Sequence, residues 1–426
     1  MTLRSSLLWA AVLCTASASL AAGEEQFRAL TVEGAMAEAV QNNLALLAEK
    51  ANLSIAEAGR VTARLRPNPV LSGSAESLDL LGTGFDTVNQ AGPPQYAVRV
   101  DVPFERGGKR DVRIELADQK KRVVEAQLAD TIRRLKLDAA MASIDVLEAK
   151  ARLQLAGDNL QALERLVQLN EQRLASGAIP QLEVTRSRVA MLQYRSAVRT
   201  AQLAVNEARL KLLPLLGLRP DAPAVDIDDR LGIAPAGGPA LPELQQTART
   251  ARPDLVALRN DQARSIADLR LEQAQGKVDY TLGAEYRREQ GVNGTGNMLG
   301  FFVSVPLPFS NRNQGEIARA GAERDKAERA LRAGETSVAG EVAVAYQEFE
   351  SARGLLTDIE RDLLEPTRQA RDSVTYVYQA GAASLLDVLD AQRAFNDTMD
   401  TYYSAQAAYR RAQARLSLTV NKDVTP

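Results

Sequence analysis

Proline placement constrains this chain more than any other feature. Its 17 prolines leave residues 105–179, 310–365 and 367–425 without a single one. Proline lacks a backbone N–H, and its ring collides with the carbonyl four residues back, so such gaps are what very long helices require. The composition inside them is Ala, Leu, Glu, Gln, Arg and Lys, the strongest helix formers. Between Arg110 and Ala175 only Gly157 interrupts. A helix of that span would reach roughly 100 Å at about 1.5 Å per residue, well beyond the ordinary globular range, and points to a coiled coil. The pattern predicts long helices over 108–176, 180–213, 313–380 and 384–419. In the last of these, Leu385, Val388, Gln392, Phe395, Met399, Tyr402, Gln406, Tyr409, Gln413 and Leu416 follow the alternating three-and-four spacing of a packing seam. Glutamines on that seam fit a helix with neighbours on both sides.

The chain is also written twice. Arg173-Leu-Ala-Ser-Gly177 and the Glu183-Val184 beyond it match Tyr378-Gln-Ala-Gly381 and Asp387-Val388 at an offset of 204. Val100-Asp-Val-Pro103-Phe104 matches Val305-Pro-Leu-Pro308-Phe309 at 205, and Asn43-Leu-Ala-Leu46 matches Arg252-Pro-Asp-Leu255 at 209. Such a period is far too long for a solenoid. It describes one structural unit duplicated: a first repeat over 23–213, a Gly- and Pro-rich linker over 214–241, and a second repeat over 242–426. Each reads as helix, strand, glycine-rich loop, strand, very long helix, glycine turn, helix.

Short segments alternate strictly between unlike residues, the mark of a strand with two different faces. Strands are expected at about 68–77, 95–104, 279–288 and 299–309. Tyr96, Val98, Val100 and Val102 share one face, and Ala97, Arg99 and Asp101 share the other. Glu285 and Arg287 likewise oppose Leu282, Ala284 and Tyr286. Aromatics gather in these windows: Phe85, Tyr96, Phe104, Tyr280, Tyr286, Phe301, Phe302 and Phe309. Apolar-out, polar-in segments of about 9–11 residues with aromatic rims are the signature of a membrane β-barrel. The polar stretches Leu81-Gly-Thr-Gly-Phe85 through Gly92-Pro-Pro, and Gly291-Val-Asn-Gly-Thr-Gly-Asn297, read as the hairpin loops. Four strands cannot close a barrel, because small barrels need about eight. Two, three or four copies would have to share one.

Composition removes several function classes. There is no histidine, so no His-based acid–base site, His-ligated metal site or Ser-His-Asp triad is possible. The sole cysteine, Cys14, cannot form a disulfide within the chain. A formal net charge of -2 argues against a nucleic-acid partner. No nucleophile elbow, phosphate loop or metal-ligand cluster is present, and Gly294-Thr-Gly296 is a loop rather than a nucleotide fingerprint. The chain is therefore expected to be neither an enzyme nor a cofactor protein. Arg4, the apolar run Leu7 to Leu13 and the small residues to Ala22 predict a secretory signal peptide over 1–22. Cys14 follows Leu13 rather than a small residue, which argues against lipidation.

The duplicated strand-pair and helical-hairpin unit resembles the TolC-like outer membrane factor family. Its most specific piece is Tyr378-Gln-Ala-Gly381-Ala-Ala-Ser-Leu-Leu-Asp387-Val-Leu-Asp390-Ala-Gln392-Arg, similar to that family's C-terminal signature. Phe104-Glu-Arg-Gly107-Gly108-Lys109-Arg110 and Pro306-Leu-Pro308-Phe309-Ser-Asn-Arg312-Asn313-Gln-Gly315 look like the strand-to-helix junctions of its heavy-metal efflux subgroup, the cobalt-zinc-cadmium type. The resemblance implies a mainly α fold with a small membrane β-barrel: four strands per protomer in a shared, trimeric, twelve-stranded barrel, continued by a long periplasmic coiled-coil α-barrel. It implies a homotrimer in the outer membrane, with a periplasmic adaptor and an inner-membrane pump of the resistance-nodulation-division class as partners. The function implied is a passive exit duct for small solutes, heavy-metal cations foremost.

Site expectations follow. Arg99, Asp101, Glu285 and Arg287 would face the barrel lumen. Gly177 and Gly381 would form the hairpin tips where the adaptor docks. Asp387 and Asp390, on one helix face at i and i+3, would form an acidic gate ring favouring cations. No metal-binding residue is expected, since soft and borderline ions lack their preferred ligands here. Two alternatives stay open: a channel for drug efflux or type I protein secretion, and a soluble periplasmic coiled-coil scaffold.

Overall fold

The computed structural model describes residues 28–82, 84, 94–221, 225–291 and 294–424. The expected signal segment with Cys14, Phe85 with most of the first glycine-rich loop, and Val292-Asn293 lie outside the described residues. In chain order the elements are β1 (Arg28–Leu30), α1 (Val32–Asn42), α2 (Leu44–Arg64), β2 (Val70–Glu76), β3 (Gln95–Phe104), α3 (Lys109–Ala175) and α4 (Gln181–Leu212). They continue with β4 (Val225–Ile227), α5 (Leu241–Ala251), α6 (Pro253–Gln275), β5 (Tyr280–Gly291), β6 (Gly294–Ser304), α7 (Gln314–Asp362), α8 (Leu364–Gln379) and α9 (Leu385–Val420). The fold is mainly helical.

Helix α3 runs 67 residues, passing through Gly157, where no side chain or backbone comes near. Its counterpart departs from expectation. The helix predicted over 313–380 breaks at Leu363, which has φ −113 and ψ −39, into α7 of 49 residues and α8 of 16. Pro366 is the cause: it cannot bond to the Asp362 carbonyl and its ring crowds that oxygen, so the helix restarts with proline in its first turn.

β2, β3, β5 and β6 form one antiparallel sheet in the order β2-β3-β5-β6. Its last hairpin differs from the sequence expectation. The glycine-rich stretch expected as a loop is largely strand, since Glu289 pairs Gly296, Gln290 pairs Thr295 and Gly291 pairs Gly294. At the other end β6 stops at Ser304, not near residue 309, because Pro306 and Pro308 have no N–H to offer a ladder. A second, two-stranded sheet was not anticipated: β1 pairs with β4 in parallel. Its strands have three residues each, too short for any periodicity to register.

Burial falls into separate clusters. One gathers α1, α3, α4, β4 and Leu213, Leu216 and Leu231. A second gathers α5, α7 and α9 around Phe349 and Tyr409, whose rings lie 5.6 Å apart. A third sits near the turns that end α3 and α8 and holds Leu163, Leu166, Tyr378, Leu385 and Val388. Because Leu216, Val225 and Ile227 are buried, the stretch joining the halves is packed into the first core. The α9 seam is buried at Leu385, Val388, Gln392, Phe395, Gln406, Tyr409 and Leu416. Gln392 donates to Asn159 of α3 at 2.9 Å, so its polar end is satisfied by the neighbouring helix.

Candidate functional sites: a two-faced sheet and a helical turn region

The sheet separates its residues by chemistry. Tyr96, Val98 and Val100 of β3 lie on one face, in register with Tyr286 and Leu282 of β5 and with Leu299, Phe301 and Val303 of β6. That face is uncovered: Tyr96 is 52% exposed and Phe301 79%. An apolar patch of this kind marks a surface that meets something other than water.

Arg99, Asp101, Glu285 and Arg287 all lie on the opposite face, with Arg99 directly across from Glu285. Each arginine bonds a carboxylate two residues along its own strand: Arg99 to Asp101 at 2.8 and 2.9 Å, and Arg287 to Glu285 at 2.9 Å. Glu289 lies 3.6 Å from Arg287 and extends the row. The Arg99 guanidinium spans β5 and stacks over the Phe302 ring, 4.2 Å from its centroid. Gly283 makes this possible. A Cβ there would overlap the Asp101 carboxylate and press on the Arg99 guanidinium. Sequence reasoning missed Gly283 and Glu289, and counted Phe302 only among the aromatics of the strand windows. A glycine inside an alternating strand was the available signal for the first, whereas Glu289 was lost by ending the strand at 288.

At the far ends of the long helices, Gly177 (φ 75) and Gly381 (φ 81) both reverse the chain in the left-handed conformation. Both turns close with the same pair of bonds: Gly177 N to Leu174 O and Ala178 N to Arg173 O, then Gly381 N to Tyr378 O and Ala382 N to Val377 O. This is the glycine-terminated helix end expected where a helix stops sharply. The two turns are tied side by side. Arg173 donates to the carbonyls of Tyr378 at 3.2 Å and Gln379 at 2.6 Å, covering the end of α8. The buried Tyr378 hydroxyl donates to Asn170 at 2.6 Å. Arg173 and Tyr378 stand in the repeat match itself, yet nothing in the pattern said that they touch.

Asp387 and Asp390 are both exposed just inside α9. Their surroundings differ. Asp387 accepts from the Ser384 N–H at 2.9 Å and its hydroxyl at 2.7 Å, while Ser384 Oγ accepts from the Asp387 N–H. This reciprocal cap, led by the Ser384 hydroxyl bond, holds the Asp387 carboxyl below its ordinary range. Asp390 has no hydrogen-bond or ion-pair partner among the described residues. No group of acids and thiols among the described residues has the geometry to hold a metal ion. No described helix is long and apolar enough to cross a membrane.

A four-stranded, two-faced sheet carried on long helices is shared with solved structures. The crystal structure of CusC, described in terms of transmembrane channel formation, superposes with a TM-score of 0.75 over 92% of each chain at 20% identity. The family model for outer membrane efflux proteins matches residues 35–218 and 244–422. The chain belongs to the outer membrane efflux protein family. Among curated relatives, the cobalt-zinc-cadmium resistance protein CzcC of Cupriavidus metallidurans is 29% identical over 85% of this chain and 83% of its own length. The pyoverdine export outer membrane protein OpmQ of Pseudomonas putida is 26% identical over 63% of this chain and 58% of its own.

Proposed function

We propose that this chain is the outer membrane duct of a tripartite efflux system, assembled as a homotrimer that shares one twelve-stranded barrel. The observation that carries this reading is the sheet. Its apolar face is bare, and its outer strands β2 and β6 have no further partner strand among the described residues. In lipid every backbone group must be paired, so such edges demand closure. Four strands that alternate in direction leave β2 and β6 antiparallel to one another. Copies can therefore join β6 to β2 around a ring and remain antiparallel throughout. Three copies, the number the family resemblance implies, give three times four strands.

Within this arrangement Arg99, Asp101, Glu285 and Arg287 line the lumen, and the helices carry the duct through the periplasm. The turns at Gly177 and Gly381 meet a periplasmic adaptor, which connects to an inner-membrane pump. The cargo is a small solute, with heavy-metal cations favoured by the likeness to a cobalt-zinc-cadmium resistance protein. Export of an organic chelator is the second reading, supported by the pyoverdine relative. With no histidine in the chain, the duct attracts cations through carboxylates and leaves selection to the pump. Three copies of Asp390, each free of partners, form the acidic ring at the inner end. Asp387 stands beside it but is committed to its cap.

Two measurements test this. A deletion strain should become sensitive to cobalt, zinc or cadmium, and unchanged tolerance would remove the metal cargo. In planar bilayers Asp390→Asn should reduce cation preference several-fold without loss of assembly. Identical selectivity of mutant and wild type would remove the ring.

A further inference from the structure

At the helical end of the sheet the bare apolar face stops in aromatics and then in cations. Phe104 and Tyr280 pair across β3 and β5, and Arg106 stacks over the Tyr280 ring at 4.6 Å, which puts its guanidinium on the apolar side. Lys277 lies against the adjoining Gly107, Lys109 and Arg110 follow in the chain, and Arg110 reaches the Arg64 carbonyl. Asp279 is committed to Lys109 at 2.7 Å, and Glu105 to Arg113 at 2.5 Å. Arg66 and Lys277 are exposed and bond no described residue.

Beside this collar lies a cavity of about 690 Å³. Val102 and Phe104, both on the apolar side of β3, form one wall, and Arg66, Lys109 and Arg110 form another. Arg110 spends only its Nε, on the Arg64 carbonyl at 2.8 Å, so its remaining donors are available. Asp111 is the one cavity carboxylate without an ion-pair partner. The excess is therefore cationic, and with the sheet as membrane wall it falls at the level where a bilayer changes from hydrocarbon to phosphate. Long basic side chains and aromatic rings at that level are the usual anchors to headgroups.

We propose that this cavity binds the phosphate headgroup of an anionic phospholipid, with Arg66 and Arg110 as the headgroup ligands and Val102 and Phe104 against its acyl chain. The proposal rests on the reading of the sheet as membrane wall. It deepens that reading by naming a lipid class and the residues that hold it. A free phosphate ion would use the cations but not the apolar wall, and a neighbouring copy would cover both.

The test is lipid retention by the full assembled protein, extracted in mild detergent and examined by native mass spectrometry with phosphatidylglycerol or phosphatidylcholine added. The wild type should keep phosphatidylglycerol in clear preference. Each cation lost should lower its retention about fivefold, the weight of one basic side chain near an anionic surface, so Arg66→Gln with Arg110→Gln should lose roughly 25-fold. Arg66→Lys should keep most of it, which separates charge from fold. Equal retention of the two lipids, retention unaffected by the double change, or full displacement by inorganic phosphate at millimolar concentration would each overturn the site. A failed membrane reading gives a different result: a chain that is single and needs no detergent. A detergent-dependent trimer indifferent to lipid charge sinks the headgroup site alone.

Discussion

In the first half of the chain the turn after the last helix passes through Gly217; in the second half the matching turn, 204 residues on, passes through Asn421. Both residues are left-handed, with φ 72 and φ 59. Both turns close with the same long bond, Leu218 N to Leu213 O and Lys422 N to Ser417 O. What faces them differs. A Cβ at Gly217 would run into the Asn42 carbonyl at the end of α1. In the second half the Asn421 amide donates to Ala251 O, at the end of α5, at 2.9 Å. One half meets the helix end by close approach of bare backbone, the other with a side chain.

The breaks that follow those helix ends show the same substitution of means. Asn43 (φ −61, ψ 120) and Arg252 (φ −71, ψ 125) bend the chain alike. Asn43 caps α2 through Leu46 N at 3.0 Å and donates to Leu215 O at 3.1 Å. Arg252, buried to 3% exposure of its side chain, reaches Thr419 O while pairing with Asp254 at 2.5 Å and Glu341 at 2.7 Å. The two halves thus share this backbone geometry while one uses a neutral amide and the other an ion-paired guanidinium.

This contrast can be broken experimentally, and the turns are the most sensitive place. Gly217→Ala combines a strained left-handed φ with a backbone clash and should cost on the order of 3 kcal/mol, read as a drop in Tm. Asn421→Gly removes one hydrogen bond from the matching turn and should cost only about 1 kcal/mol. Equal costs would mean that the two turns are not the different solutions described. Next, Arg252→Ala should cost about 2–3 kcal/mol, below the ~3–5 of a fully buried pair because Glu341 is half exposed. Asn43→Ala should lose about 1–2 kcal/mol as a cap. A reversed order in chemical denaturation would show that the buried charge is not what holds the second break.

The smallest effect is acid sensitivity. Burial alone would raise Asp226, yet bonds from Lys150 and Arg209 outweigh it and lower the carboxyl. Asp229 is lowered against burial by the Arg230 N–H and Arg410, and Asp254 against burial by Arg252. Carboxyls lowered in the folded state stabilise it above their unfolded pKa of about 3.9, and that contribution fades as pH falls through the folded values. Stability should therefore be flat above about pH 5 and fall below about pH 4. A loss that begins near neutrality would point to other groups.

Much of this was legible in the sequence, for physical reasons that also mark its limits. Proline-free stretches of good helix formers are α3, α4, α7 and α9, because no tertiary contact is needed to favour a helix there. The break at Leu363 was missed although Pro366 is visible, since flanking helical composition was allowed to override one imino acid. The two faces of β3 and β5 were readable because a strand's side-chain period is fixed. The hairpin register at β6 was not, because Gly294 to Gly296 has turn composition and pairs as strand only through its β5 partner. Arg99 and Glu285 could be placed on one face, but the stack of Arg99 on Phe302 across Gly283 depends on register. Asp387 and Asp390 look equivalent in sequence; only the Ser384 cap separates them.

The most direct test uses the chain's lack of any cysteine beyond Cys14. With Cys14→Ala, cysteines at Ser72 and Ser74 of β2 and at Met298 and Gly300 of β6, paired one from each strand, are oxidised in outer membranes and resolved under denaturing conditions. A closed barrel of three copies gives bands of two and three linked chains and none larger. Chains that remain single for every pair, or a ladder that continues past three, would contradict it.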